Sequence, residues 1–358
     1  MNIVKATEKY EAWLAGRIPL IRADLERKHA MMRDAPFSFL RATFYRWAQI
    51  WPQVCARTNA PEVLGVGDLH VENFGTWRDI EGRLVWGIND FDEACWLPYT
   101  CDLVRLVASA HLAITAEHLT MISPAKASKA ILDGYRAGIR AGGRPFVLAE
   151  HHTALRQMAV ERLKEPEKFW EKLKGLPSCK ESVSPGALKG IQKMLPSPEV
   201  QYRIVHRVSG LGSLGRRRYA ALADWHGGSI AREAKELTNS AWRWFGSRRA
   251  DSEIRYQEAM DRAFRCPDPF VRVKGRWVVR RLAPDCSRIE LTSLPTKHDA
   301  VRLLQSMGWE TANLHLGTRE ARILARDLEK RGPGWLHSDA QAMVEATRQD
   351  WEEWRKRR

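Results

Sequence analysis

Gly67-Asp68-Leu69-His70-Val71-Glu72-Asn73-Phe74-Gly75 and, a little further on, Asn89-Asp90-Phe91-Asp92-Glu93 form the densest polar cluster in the chain. The runs Glu62-Val63-Leu64-Gly65-Val66 and Leu84-Val85-Trp86-Gly87-Ile88 are rich in β-formers and bracket the first of them. The pattern predicts a strand, a polar loop and a second strand ending on the other acidic group. A carboxylate at a strand end, an Asn five residues on and a second strand-end carboxylate are the parts that magnesium-dependent phosphoryl transfer uses. One Asp accepts the proton of the attacking hydroxyl, while the Asn and the other Asp offer hard oxygen ligands to Mg²⁺. The spacing from Asp68 to Asn73 equals that of Asp and Asn in the kinase catalytic loop H-R-D-x-x-x-x-N, and Asp90 falls where a DFG-type Asp belongs. His70 reads as an orienting or core residue beside the base. Turn capping by Asp68, His70 and Asn73 is the simpler alternative, and it accounts for one of the two elements but not both.

A second signal is Gly210-Leu211-Gly212-Ser213-Leu214-Gly215. Between a strand and a helix, such glycines would suggest a dinucleotide fold, with Glu233 near the distance of a ribose-binding acid. Between two strands they form a flap over phosphates. Arg218 to Leu222 leads into Gly227-Gly228 and another β-like run, which favours the flap, ordinary hairpin glycines being the plain alternative. Phosphate binding then needs a cation on the following strand, for which Arg232 and Lys235 are the candidates, and an acid on the next helix, for which Glu253 and Glu258 are. Surface charge explains each of these four equally well.

The rest of the chain reads as helix, connection, sheet and helix. Residues 6–51 look helical with a break at Pro36, and helices are expected over 102–117, 124–141 (Ser123 as N-cap, Pro124 at the first position) and 145–164. Lys, Pro, Ser and Gly dominate 165–198, a boundary composition. Strands follow at 204–208, 218–222 and 229–234, then a helix over 252–264, a hairpin of 270–273 with 277–282, and helices over 297–314, 319–330 and 338–355. The expected parts are a large portion with the acidic loop (1–164), a connection (165–200), a small β-rich portion with the flap (201–285) and C-terminal helices returning to the large portion (286–358).

With 58 Lys+Arg against 43 Asp+Glu in 358 residues, the formal charge is +15 and the pI about 9.8. The hydrophobic fraction of 44% with 15 Trp supplies packed cores and excludes a disordered chain. Arg105, His111, Glu117 and His118 interrupt the most apolar stretch, too often for a membrane span, and the N-terminus lacks the apolar core of a signal peptide. A cytoplasmic protein is expected. Six scattered cysteines form no CxxC pair, which suggests neither zinc nor a disulfide framework. Basic runs at Arg216-Arg217-Arg218, Arg248-Arg249, Arg280-Arg281 and Arg355-Lys356-Arg357-Arg358 suit nucleic acid, anionic metabolites or a solvated surface alike.

These residues resemble a bacterial family, domain of unknown function 2252, which is grouped with kinase-like proteins. The resemblance rests on Pro36-Phe37-Ser38-Phe39-Leu40-Arg41, on both acidic motifs, on Asp102-Leu103-Val104-Arg105-Leu106, on the 210–215 glycines with Arg218-Tyr219, and on Val279-Arg280-Arg281-Leu282. It implies a nucleotide site similar to that of aminoglycoside phosphotransferases, with Asp68 as base, Asn73 and Asp90 as metal ligands, Asp92 adding a second carboxylate and Asp102 anchoring the loop. Two departures stand out. Where the family has Lys-Glu-Ala after the hairpin, the best match is Arg232-Glu233-Ala234 with Lys235 displaced, and Ala42 replaces a Gly after Arg41.

The expected fold is therefore α+β: a two-lobed, protein-kinase-like structure with motifs in circularly rearranged order, a largely helical large lobe and a small antiparallel sheet. The flap follows the catalytic loop in the chain, the reverse of ordinary kinases, but a cleft depends on positions in space. The expected function is ATP- and Mg²⁺-dependent phosphoryl transfer to a hydroxyl, with Asp68 and His70 at the chemistry. Asn73, Asp90 and Asp92 would hold the metal, and Gly210, Gly212, Ser213, Gly215, Arg232 and Lys235 the nucleotide. The acceptor is open, a small molecule ranking ahead of a protein. A nucleotide-binding pseudoenzyme and a basic nucleic-acid-binding protein, with the acids as a nuclease metal site, are the competing classes.

Overall fold

The computed structural model describes residues 1–55, 59–116, 122–162, 165–180, 182–245, 253–286, 288 and 296–357. Arg248, Arg249, Arg358 and the start of the helix expected at Ser252 lie outside them. The architecture is α+β, with a helical body and small antiparallel sheets.

Four helices open the chain: α1 (Ile3–Ala15), α2 (Arg22–Asp34), α3 (Pro36–Ala42) and α4 (Phe44–Val54). Pro36 ends one helix and starts the next because it lacks an N–H and has a fixed φ, which suit the first helical position alone. The expected strand, loop and strand resolve differently. Strand β1 (Glu62–Gly65) pairs with β4 (Cys95–Pro98), whereas β3 (Leu84–Ile88) pairs with β2 (Phe74–Arg78). β2 lies inside the stretch read as loop. Its register, Phe74 opposite Ile88, brings Asn73 and Asn89 to the same sheet end, where the Asn89 amide donates to the Asn73 carbonyl at 2.9 Å.

Helices α5 (Tyr99–Ala116) and α6 (Pro124–Ala141) follow, the second capped by Ser123, whose Oγ accepts from the Lys126 amide. The expected 145–164 helix is divided into β5 (Phe146–Val147), α7 (Leu148–His151) and α8 (Thr153–Arg162), because Phe146 and Val147 extend the β2–β3 sheet. Helices α9 (Pro166–Lys174) and α10 (Pro185–Gln192) occupy the stretch expected as a connection, each started by its first-position proline, Pro166 and Pro185.

The five-stranded sheet runs in the order β6 (Arg203–His206), β7 (Arg218–Trp225), β8 (Gly228–Glu236), β10 (Trp277–Leu282), β9 (Val271–Lys274). His226 and Gly227, both at positive φ, close the β7–β8 hairpin, as a two-residue turn of mirror-image type requires. Short helices α11 (Ala241–Phe245) and α12 (Tyr256–Arg262) separate the first three strands from the last two. One sheet face buries Tyr219, Ala221, Ala234, Trp277 and Val279 against Ala187 and Ile191 of α10. The other face turns Arg218, Glu233, Lys235 and Arg280 toward the helical body.

The body is completed by α13 (Lys297–Leu316), α14 (Ala321–Lys330) and α15 (Trp335–Arg355). A Cβ on Gly134 of α6 would lie 1.9 Å from the Gln305 carbonyl oxygen of α13, so these helices cross at a distance that only glycine permits there. One large apolar cluster joins α1 and α3–α6 to α13–α15. Among the described residues no helix is long and apolar enough to cross a membrane.

Candidate functional site

A cavity of about 320 Å³ separates the five-stranded sheet from the helical body and is lined by both acidic motifs and the glycine turn. The loop 66–73 forms its floor and hangs from one face of α5. Asp102, in the first turn, accepts from the amides of Val66 (2.7 Å) and Gly67 (2.9 Å). Three residues on, Arg105 donates Nε to Asp68 Oδ1 at 3.0 Å, with Nη2 on the same oxygen, and Nη2 also reaches the Leu40 carbonyl. Four more residues on, Ser109 Oγ accepts from the Val71 amide at 3.1 Å. Positions separated by three and four residues share a helix face, so a single helix sets three points of the loop. Behind Asp102, His315 Nε2 lies 3.2 Å from Oδ2, and His315 Nδ1 meets Tyr135 Oη at 2.9 Å. Gly67 sits at φ +78, and a Cβ there would come within 2.5 Å of the Glu93 carbonyl. Only glycine fits.

Asp68 is mostly buried, which pushes its carboxyl up to about 6 against the opposing pull of Arg105, with Glu93 and Asp90 adding to the rise. It stays ionised at neutral pH, yet is more basic than an ordinary Asp. His70 is buried, and burial together with the Arg41 and Arg105 charges holds it well below its usual range. The ring is neutral, and Nδ1 accepts from the Glu72 amide at 3.2 Å, which leaves the proton on Nε2. Asn73 Oδ1 accepts from the His70 amide at 2.7 Å and so closes the turn.

At the end of β3, Asp90 and Asp92 share the ammonium of Lys235, at 3.0 and 2.5 Å. Burial alone would raise Asp90, but Lys235, a hydrogen bond with Asp92 and Arg280 outweigh it and hold this carboxyl below its ordinary range. Burial and then the charge of Asp90 push Asp92 up to about 6, against Lys235 and Arg216. Glu93 accepts from Arg216 Nη2 at 2.8 Å and from the Ala241 amide at 2.6 Å, which ties the acidic segment to α11.

The alternation of β8 decides between the two candidate cations. Lys235 faces the cavity side, whereas Arg232 lies on the opposite face, donating to the carbonyls of Met194 and Ala231 and stacking on Phe270. Glu253 and Glu258 pair with Arg255, and Glu258 also with Arg262. The acids that meet Lys235 come from the β3 end, not from the following helix.

Gly210, Gly212 and Ser213 line the cavity, in a single 3₁₀ turn (Leu211–Ser213) between β6 and β7. The Ser213 amide donates to the Gly210 carbonyl, and Ser213 Oγ accepts from Arg218 Nη2 at 2.7 Å. Lys28 Nζ donates to the Gly212 carbonyl at 3.0 Å. Burial, with Arg216 nearby, lowers Lys28 to about 8. Gly212 packs so close to the floor that a Cβ would stand 3.2 Å from Asp68 Oδ2. Gly215 lies beyond the lining, packed on Leu25 of α2, and its carbonyl accepts from the Ile21 amide.

Sequence reasoning gave no site role to Lys28, Arg105 or Arg216, and weighed Glu233 only as the ribose-binding acid of a dinucleotide fold. Arg216, Arg218 and Arg280 belong to runs that read equally well as surface charge, yet the first two are buried and all three line the cavity. Glu233, fully buried, pairs with Arg207, Arg218 and Arg280, and these three charges overcome the effect of burial and hold it well below its usual range. The signal for Glu233 and Lys235 was the period-two pattern of β8, which puts them on one face.

Among the described residues no three His, Cys, Asp or Glu side chains converge into a ready-made metal cage. Mg²⁺ asks for less: one or two carboxylates, with water and phosphate oxygens completing its shell. Asp90 is half-buried at the cavity, and buried Asp92 Oδ1 accepts no directed hydrogen bond despite its nearness to Lys235. Hard oxygens with spare lone pairs suit that ion.

The family described as "Uncharacterized protein conserved in bacteria (DUF2252)" matches residues 20–173 and 199–357. The chain belongs to this family. No curated protein and no solved structure matches it.

Proposed function

We propose that the protein is a Mg²⁺- and ATP-dependent phosphotransferase with a kinase-like fold whose motifs stand in circularly rearranged order. The observation that carries this reading is the Lys235–Asp90 ion pair at 3.0 Å, formed across 145 residues. Kinases place a glycine-rich turn between strands over the phosphates, a lysine on the third strand of the small sheet, and a metal-binding Asp and Asn opposite them. Here the turn joins β6 to β7, Lys235 lies on β8 as the third strand, and Asp90 and Asn73 lie at the end of the β2–β3 sheet.

In this reading Lys235 and the turn hold the nucleotide's phosphates. Asp90 and Asp92, with Asn73, would bind Mg²⁺, which supplies charge neutralisation at the β,γ-phosphates. Asp68 accepts the proton as the acceptor oxygen bonds to the γ-phosphorus and the bond to the ADP oxygen breaks. Its carboxyl, raised to about 6, is well matched to that task, since a general base works best near the ambient pH. His70 and Asn73 keep the loop in shape.

A second reading, a nucleotide-binding module without turnover, draws on the seating of Gly212 against Asp68 and on the Arg105–Asp68 pair. Calorimetric titration of ATP with and without Mg²⁺, on wild type and Asp90→Ala, separates the outcomes. Mg²⁺-dependent binding that weakens at least about tenfold in the variant is expected. ATP consumption should fall about 10²- to 10⁴-fold in Asp68→Asn with binding retained. Binding without consumption favours the second reading, and absence of ATP binding to wild type ends both.

A further inference from the structure

Lys and Arg outnumber Asp and Glu around the cavity, nine to six among the described lining residues. The surplus is concentrated in two acid-centred groups. On the sheet, Glu233 is shared by Arg207, Arg218 and Arg280, and Arg218 also holds Ser213 of the glycine turn. On the floor, Glu72 Oε2 is shared by Arg41 Nη1 at 2.9 Å and Arg288 Nη1 at 3.1 Å.

One carboxylate balances one guanidinium, so each group carries a standing positive charge next to the cavity. The sheet group adjoins the turn and Lys235, where the proposed reading puts nucleotide phosphates. The floor group is on the loop that carries Asp68, with Arg288 still within electrostatic reach of Arg280 and Asp90. Arg41 Nε is buried there without a hydrogen-bond partner, a donor left open in a place where unpaired donors are costly. Desolvation and then the nearby Arg41 charge lower Arg288, whose side chain keeps 43% of its surface exposed at the edge of the cavity. A guanidinium fork matches carboxylate and phosphate oxygens in pairs.

We infer that Arg41 and Arg288 form a second anion subsite, separate from the nucleotide's phosphates, and that the hydroxyl acceptor of this enzyme is an anionic small molecule whose phosphate or carboxylate group docks there. The inference rests on the phosphotransferase reading for the acceptor role, and on geometry alone for the anion subsite. Glu72 tunes the subsite by offsetting one of its two charges.

The test titrates inorganic phosphate, and in parallel acetate, into the full-length protein, first alone and then with a non-hydrolysable ATP analogue and Mg²⁺ at saturation. Phosphate should bind under both conditions, weaken at least tenfold in Arg288→Ala, and weaken less in Arg41→Lys, which keeps the charge but loses the fork. Glu72→Gln should tighten binding severalfold, an effect that a purely structural ion pair would not produce. The acetate titration distinguishes a carboxylate-selective subsite from a phosphate-selective one. Displacement of phosphate by the nucleotide analogue, or phosphate affinity unmoved in all three variants, would overturn the subsite. If the analogue does not bind while phosphate still does, the phosphotransferase reading and the acceptor role fall together, and the anion subsite stands.

Discussion

Residues 66–73 hang from buried polar side chains of one helix, whereas residues 210–215 rest on the helical body through the buried side chains of Leu211 and Leu214 and a few backbone hydrogen bonds. The floor loop is fixed at three points by Asp102, Arg105 and Ser109, and Asp102 is backed by His315 and Tyr135. The glycine turn is held down by Lys28 on one carbonyl and by the Ile21 amide on another, with Arg218 gripping Ser213 from the sheet side. The contrast separates a part anchored by buried polar and charged side chains from a part anchored by apolar packing and single backbone bonds. Under the phosphotransferase reading, a base is worth most when held in place, and a flap must let the nucleotide in and out.

The sharpest way to break this contrast is Asp102→Ala. It strands two buried amides and His315, and denaturant unfolding should register a loss of roughly 3–5 kcal/mol. A loss below about 1 kcal/mol would show that the floor does not depend on α5.

Next in size is a pH effect at Asp68. Its folded pKa of about 6 lies above the ordinary 3.8, so the folded state binds the extra proton between these values. This contribution is fully present below about 3.8 and is lost as pH rises through about 6. Asp68→Asn should therefore flatten the stability profile across that window by about 3 kcal/mol, read by unfolding at a series of pH values. An unchanged slope would mean that the loop does not bury this charge.

Lys28→Met should have the smallest effect. It removes one hydrogen bond to the Gly212 carbonyl, so global stability should move by about 1 kcal/mol or less. Amide hydrogen exchange in residues 210–215 should quicken up to about tenfold, while residues 66–73 keep their protection. Equal quickening in both loops would dissolve the distinction between them.

Much of the fold was legible because its signals are local. Ser123-Pro124 marks a helix start, and Gly227, in a turn centred one residue before the expected Gly227-Gly228, and Gly275 mark hairpin turns of the sheet. The misreadings concern pairings between distant residues. β2 was hidden because Phe74 and Gly75 follow directly on the polar loop, and nothing local reveals that β1 seeks β4 instead of β3. At the site, Asp68, Asn73 and Asp90 were picked from spacing, His70 as an orienting neighbour and Asp92 from the family resemblance, and all five line one cavity. Arg232 was drawn in by its neighbours Glu233 and Ala234, although strand alternation sends it to the other face. The partners of Lys235 could not be read locally, since they arise from a sheet and a helical body meeting in space.

The spacing of Asp102, Arg105 and Ser109 makes α5 a ruler laid along the floor loop. Each residue turns a helix by about 100°. A single insertion or deletion between Asp102 and Ser109 would therefore swing the later marks off the loop together, leaving Asp68 or Val71 without its holder. Substitutions can be absorbed one mark at a time, but a change of length cannot. Here the count of residues, as much as their kind, carries the information.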